Sequence, residues 1–240
     1  MDEQSTRHTS LSTTPPLTTA YTALVQNTRK WRLAFYKNHS IDEVMVELPY
    51  LLSDYSIIVE DFLHTQGTTI ELVVDAWNGK VNQWMEVLHD QGRDLDGARV
   101  DCGYNESCAL ALSLFRLFNA RLDKERRRGM ESHFFSVFQN STDVSECVDI
   151  LRKSKTPKLA MFKVGLMSNL HIFLGRSELK LPLNPPLALL TIISLKSLIS
   201  RLSYPPKLTP LFNMFSCLLG LRKTSPHHSI VPLLKMLNAD

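Results

Sequence analysis

The stretch Leu48–Trp77, LPYLLSDYSIIVEDFLHTQGTTIELVVDAW, decides how the fold is read. Its apolar residues recur at helical rather than alternating spacing. Ser56–Gln66 reads as one helix, stopped by Gly67, which tolerates the positive φ of a helix C-terminus. Thr69–Asn78 reads as the next, closing at Asn78-Gly79. Just upstream, Ser40 and Glu43 form a capping box. It opens Ile41–Ser53, where Val44, Leu48, Leu51 and Leu52 keep helical spacing and Pro49 must kink or split the segment.

Working outward, Thr18–Tyr36 predicts a first helix, while residues 1–16 are rich in Ser and Thr, end in Pro15-Pro16 and read as a disordered arm. Downstream, Val81–Asp90 and Glu106–Asn119 are amphipathic. Gln91–Tyr104, with three glycines and five charged residues, reads as a loop. Met130–Phe138, Ser145–Lys153 and Pro157–Leu174 are expected as further short helices. Helices of roughly 10–17 residues joined by short turns predict an all-α fold, an armadillo/HEAT-like right-handed α-solenoid. No clean sequence repeat accompanies it, and a compact bundle is the alternative.

Charge divides the chain. Residues 1–150 carry 14 Lys/Arg against 22 Asp/Glu, and residues 151–240 carry 13 against two, Glu178 and Asp240. From Leu181 prolines crowd in, and among them lie two apolar helix candidates, Leu187–Leu202 and Leu211–Leu221. Three parts are therefore expected: an arm (1–16), a helical domain (17–180), and a basic, hydrophobic, Pro-rich tail (181–240). A basic half suits an anionic partner, or simply a solvated face. The run Arg121–Arg128 favours the solvated face, because its five bases are interleaved with two acids and no aromatic ring.

Cys102, Cys108, Cys147 and Cys217 form no CxxC pair, and no His cluster stands at metal-ligand spacing. No P-loop, GxGxxG, GxSxG or HExxH occurs. His227-His228 lies in a Pro/Ser-rich stretch, and His133 and His171 fall in helical patterns. The expectation is a protein without enzymatic activity or cofactor. A polar N-terminus and the charges Lys196 and Arg201 beside Leu187–Leu195 argue against a signal peptide and a membrane span. A cytoplasmic protein with reduced cysteines is expected, its sequons at Asn38, Asn105 and Asn140 unused.

Three patches resemble the N-terminal regulatory region of formins, the GTPase-binding/FH3 region with its armadillo-type diaphanous inhibitory domain. In Leu48–Trp77, residues Val59, Phe62, Leu63, Gly67, Ile70 and Val74 fit the family pattern, while Ile58 stands where a Trp is usual. Cys108–Asn119 with Gly129 is similar to a Cys-x-x-x-hydrophobic-Met-Asn helix, with Phe118 in place of Met. Cys147–Phe173 is similar to a family helix pair. The likeness ends at Leu181, before the actin-assembling regions.

The resemblance implies two partners. A Rho-family GTPase in its GTP form would meet Arg29, Lys30, Arg32 and Lys37. An amphipathic autoinhibitory helix would meet Val59, Leu166, Asn169 and Ile172, the last three on one helix face by their spacing. Actin would be affected only indirectly, through cytoskeletal regulation. A generic armadillo/HEAT scaffold and a helical, viral-type nucleic-acid-binding protein are the competing readings.

Overall fold

The computed structural model describes residues 19–120, 135–138, 148–149, 151–152, 156–164, 167–174, 177–199, 202, 204–221 and 225–238. The arm 1–16, the run Arg121–Arg128, and His133 and Cys147 lie outside them.

The described chain is mostly helical. It runs α1 (Thr19–Asn38), α2 (Ile41–Glu47), α3 (Tyr50–Ser53), α4 (Ser56–Gln66), α5 (Ile70–Asn78), α6 (Val81–Asp90), α7 (Leu95–Asp101) and α8 (Glu106–Ala120). Local chemistry accounts for the boundaries. Ser40 and Glu43 close the capping box that starts α2. Leu48 ends α2 and Pro49 restarts the chain as α3, so the proline splits the segment. Gly67 ends α4 in the left-handed region at φ 69°. Thr69 caps α5 by accepting from the Leu72 amide at 3.4 Å. Between Gln91 and Tyr104, expected as loop, Asp94 accepts from the Gly97 amide at 2.8 Å and starts the short α7.

The all-α expectation is corrected after α8. A four-stranded mixed sheet follows: β1 (Phe135–Phe138), β2 (Lys158–Val164), β3 (Met167–Leu174) and β4 (Ser177–Leu181). β1 runs parallel to β2, and β2–β3 and β3–β4 are antiparallel. Val164 pairs with Met167 and Leu174 with Ser177, so each antiparallel connection has two residues. Of the helices expected over Met130–Phe138 and Pro157–Leu174, the described parts Phe135–Phe138, Lys158–Val164 and Met167–Leu174 are strands instead. One sheet face, carrying Leu159, Met161, Leu170, Ile172, Leu174, Leu179 and Leu181, joins the main core. On the other face Ala160, Phe162 and Phe173 pack with Leu151, Phe138 and Val148.

The chain continues with α9 (Pro185–Leu198), a 3-10 turn (Pro206–Leu208), α10 (Thr209–Leu218) and α11 (Val231–Met236). Asn184 caps α9 by accepting from the Leu187 amide at 3.2 Å, and Pro185-Pro186 occupy its first turn, where no amide partner is needed. α9 is apolar on every side, the signature of a buried helix. Its two buried hydroxyls return to its own backbone, Thr191 to the Leu187 carbonyl and Ser194 to the Leu190 carbonyl, both at 2.8 Å. Neither is left unpaired.

α9 packs against α1, α4, α5, α8, α10, β2 and β3. Helices far apart in sequence therefore meet around it, whereas solenoid units touch mainly their neighbours. The main core reaches from Val25 to Leu237, across the boundary expected near residue 180. Two long-range bonds tie the end of the chain in: the Trp84 indole donates to the Leu237 carbonyl and the Tyr204 hydroxyl to the Pro157 carbonyl, each at 2.9 Å. Trp84 also meets Trp77 edge to face, centroids 5.4 Å apart.

Candidate functional site

The described surface offers its most distinctive chemistry along α1. This helix contains Arg29, Lys30, Arg32 and Lys37 and no acidic residue. Its inward stripe is Val25, Arg32 and Tyr36, all buried. Burying Arg32 is possible only because α4 supplies Asp61. The guanidinium grips that carboxylate bidentately, Nε at 2.8 Å from Oδ2 and Nη2 at 2.6 Å from Oδ1. The remaining Nη1 donates to the Val25 carbonyl and the Thr28 hydroxyl, both at 2.7 Å. The Tyr36 hydroxyl donates to Asp61 Oδ2 at 3.2 Å and Arg29 Nε to Oδ1 at 3.1 Å. Burial opposes the charge on Arg32, yet Asp61 outweighs it and the guanidinium lies above its ordinary value. Burial first, and the Asp61 carboxylate second, push the Tyr36 phenol up.

This network sorts the four bases expected to meet a GTPase. Arg32, 1% exposed, is committed to the interior. Arg29 is shared between Asp61 and the surface. Lys30 and Lys37 are exposed, and among the described residues neither forms an ion pair. With Gln26, Arg29 and His64 they line an open groove of about 620 Å³ between α1 and α4. A smaller cleft of about 290 Å³ adjoins it, sharing Arg29 and His64 and reaching Glu60 and Glu71. Burial and the nearby Asp54 raise Glu60 despite Arg29. Glu71 is lowered by hydrogen bonds from its own amide and the Thr69 hydroxyl.

The other edge of α1 is aromatic. Trp31 stacks on Phe35 at 5.2 Å and Phe35 on His39 at 3.8 Å. Trp31 is 54% exposed and Leu24 59%. They border an apolar cleft of about 290 Å³ floored by Val25 and Arg32 and walled by Leu48 and Tyr50. Sequence reasoning named the bases here and missed the apolar edge, because an aromatic at helical spacing reads first as core.

The residues expected to hold a partner helix do not form one surface. Val59 and Ile172 are fully buried. Asn169 is exposed. Strand geometry sends residues 169 and 172 to opposite sheet faces, so the common helix face inferred from their spacing does not exist. Leu166 lies outside the described residues. Comparison with family models, with curated proteins and with solved structures finds no match.

Elsewhere, His171 Nδ1 lies 2.5 Å from Glu178 Oε1, with Arg152 Nη2 3.9 Å from the same carboxylate. The imidazole packs among Phe162 and Phe173 on the outer sheet face. Two lysines of the basic half are wholly or partly buried. Lys158 is nearly buried, and Lys196 lies 5.2 Å from the Phe212 ring centroid. Burial lowers both. Among the described residues no group of three or more His, Cys, Asp and Glu could hold a metal ion, and no helix is long and apolar enough to cross a membrane.

Proposed function

We propose that this protein is a non-catalytic binding module that receives the acidic surface of a protein partner on the basic side of α1. One observation carries the reading: Lys30 and Lys37 stand exposed along an open groove, paired with no acid among the described residues, on a helix with no acid of its own. Exposed charges of one sign speed encounter with the opposite sign and select against like-charged partners. The resemblance to formin regulatory regions names one such partner, a GTP-loaded Rho-family GTPase, and a role in organising the actin cytoskeleton. The carried-over helix-binding residues add nothing to this reading, since Val59 and Ile172 have no surface to offer.

The test is binding of the full chain to a panel of Rho-family GTPases loaded with GDP or a non-hydrolysable GTP analogue. The expected result is GTP-selective binding, weakened about tenfold or more by Lys30→Glu with Lys37→Glu. Equal affinity for both nucleotide states removes the GTPase reading, because a switch reader must discriminate between them. A generic scaffold is then the reading that remains.

A further inference from the structure

The exposed residues of α1 fall into rows seven apart. Leu24 and Trp31 form one row, Asn27 and Ala34 a second, and Lys30 and Lys37 a third, all six exposed. Seven residues are nearly two full helical turns, so each pair drifts by only about 20°. The rows therefore run almost parallel to the helix axis over about 20 Å, the rise of residues 24–37. An apolar edge and a basic edge flank a middle row, where Ala34 allows close backbone approach. Regular seven-residue rows are what a second helix laid alongside requires.

We propose that this face seats an amphipathic helix of another protein, with apolar residues against Leu24 and Trp31 and carboxylates against Lys30 and Lys37. The occupant is identified by charge: Arg29 and Arg32 are answered by Asp61, and the two outward lysines, which meet no acid among the described residues, suit the acids of a partner. Its apolar side chains enter the cleft walled by Leu48 and Tyr50. Trp and Tyr in a side-chain-sized pocket are the usual anchors of such contacts. A stacking platform for single-stranded nucleic acid is disfavoured, because Trp31, Phe35 and His39 stack on one another and leave no series of open ring faces. The proposal rests on the acidic-partner reading above, since Lys30 and Lys37 serve both.

Trp77 and Trp84 are 0% and 2% exposed, so acrylamide quenching of the native protein reports chiefly on Trp31. The probes are two helical peptides of about 18 residues with the same apolar heptad stripe, one flanked by Glu and one by Lys. The Glu peptide is expected to protect Trp31 and shift its emission to the blue. Lys30→Glu with Lys37→Glu is expected to weaken it by about tenfold or more, with unchanged far-ultraviolet circular dichroism. Equal protection by the Lys peptide, no protection by the Glu peptide at millimolar concentration, or unchanged binding by the double variant overturns the proposal. So does protection by oligo(dT) or by phosphatidylserine vesicles in place of the Glu peptide. If the Glu peptide fails while a GTPase still binds through Lys30 and Lys37, the helix seat falls and the binding module stands. If both fail, both fall.

Discussion

Asp61 is the residue on which the face of α1 depends. It is fully buried and accepts from Arg29, Arg32 and Tyr36. Removing one member of a buried pair leaves the other charge unanswered. Asp61→Ala is therefore expected to lower stability by about 3–5 kcal/mol. The double change Arg32→Met with Asp61→Leu removes both charges and is expected to recover most of that loss, as a urea-unfolding double-mutant cycle would read. Lys30→Ala, on the exposed stripe, is expected to change stability by less than about 0.5 kcal/mol. Sequence spacing could place all four bases on one helix. It could not say which was buried, because the answer sits 29 residues away at Asp61.

At the scale of elements, legibility follows how local the cause is. The capping box at Ser40, the split at Pro49 and the stop at Gly67 each depend on a few neighbouring residues, and each was readable. The strands were not, although Leu159 and Met161, and Leu170, Ile172 and Leu174, do alternate toward the core. Ala160, Phe162 and Phe173 cover the second sheet face and fill in some of the gaps, so the alternation is blurred and the run reads as much helix as strand. The overlooked signal was Gly165-Leu166 and Gly175-Arg176, each a Gly-first pair between apolar runs, which suits a two-residue hairpin. Period two also makes a sharp prediction. Ile172→Asp buries an unpaired charge and is expected to unfold the protein or cost more than about 4 kcal/mol. Asn169→Lys, on the exposed position of the opposite face, is expected to leave the melting temperature within about 2 °C.

At the scale of the molecule, α9 decides what folds. It lies at the meeting point of α1, α4, α5, α8, α10 and the sheet. A chain ending at residue 180 loses that helix and exposes the surfaces that bury it. It is expected to show no cooperative unfolding transition, whereas a chain spanning residues 19–240 keeps one. Limited proteolysis is expected to leave no stable fragment ending near residue 180, since one core carries both sides of that point. Trp84→Phe, which takes away the donor to the Leu237 carbonyl, is expected to cost about 1–3 kcal/mol and to loosen the C-terminal helix first, a change readable by hydrogen exchange.

The sequence by itself determined the mostly helical character, the boundaries of the helices from Ser40 to Asp90 and the basic character of α1. These follow from short-range periodicity, capping and proline sterics, which act within a turn or two. Tertiary structure alone decided that Arg32 is an interior residue, that Val59 and Ile172 are core, and that the Pro-rich stretch after Leu181 supplies the central helix. The physical reason is common to all three. Burial of a charge or of an all-apolar helix depends on groups brought from distant parts of the chain, and local pattern holds no record of which groups those are.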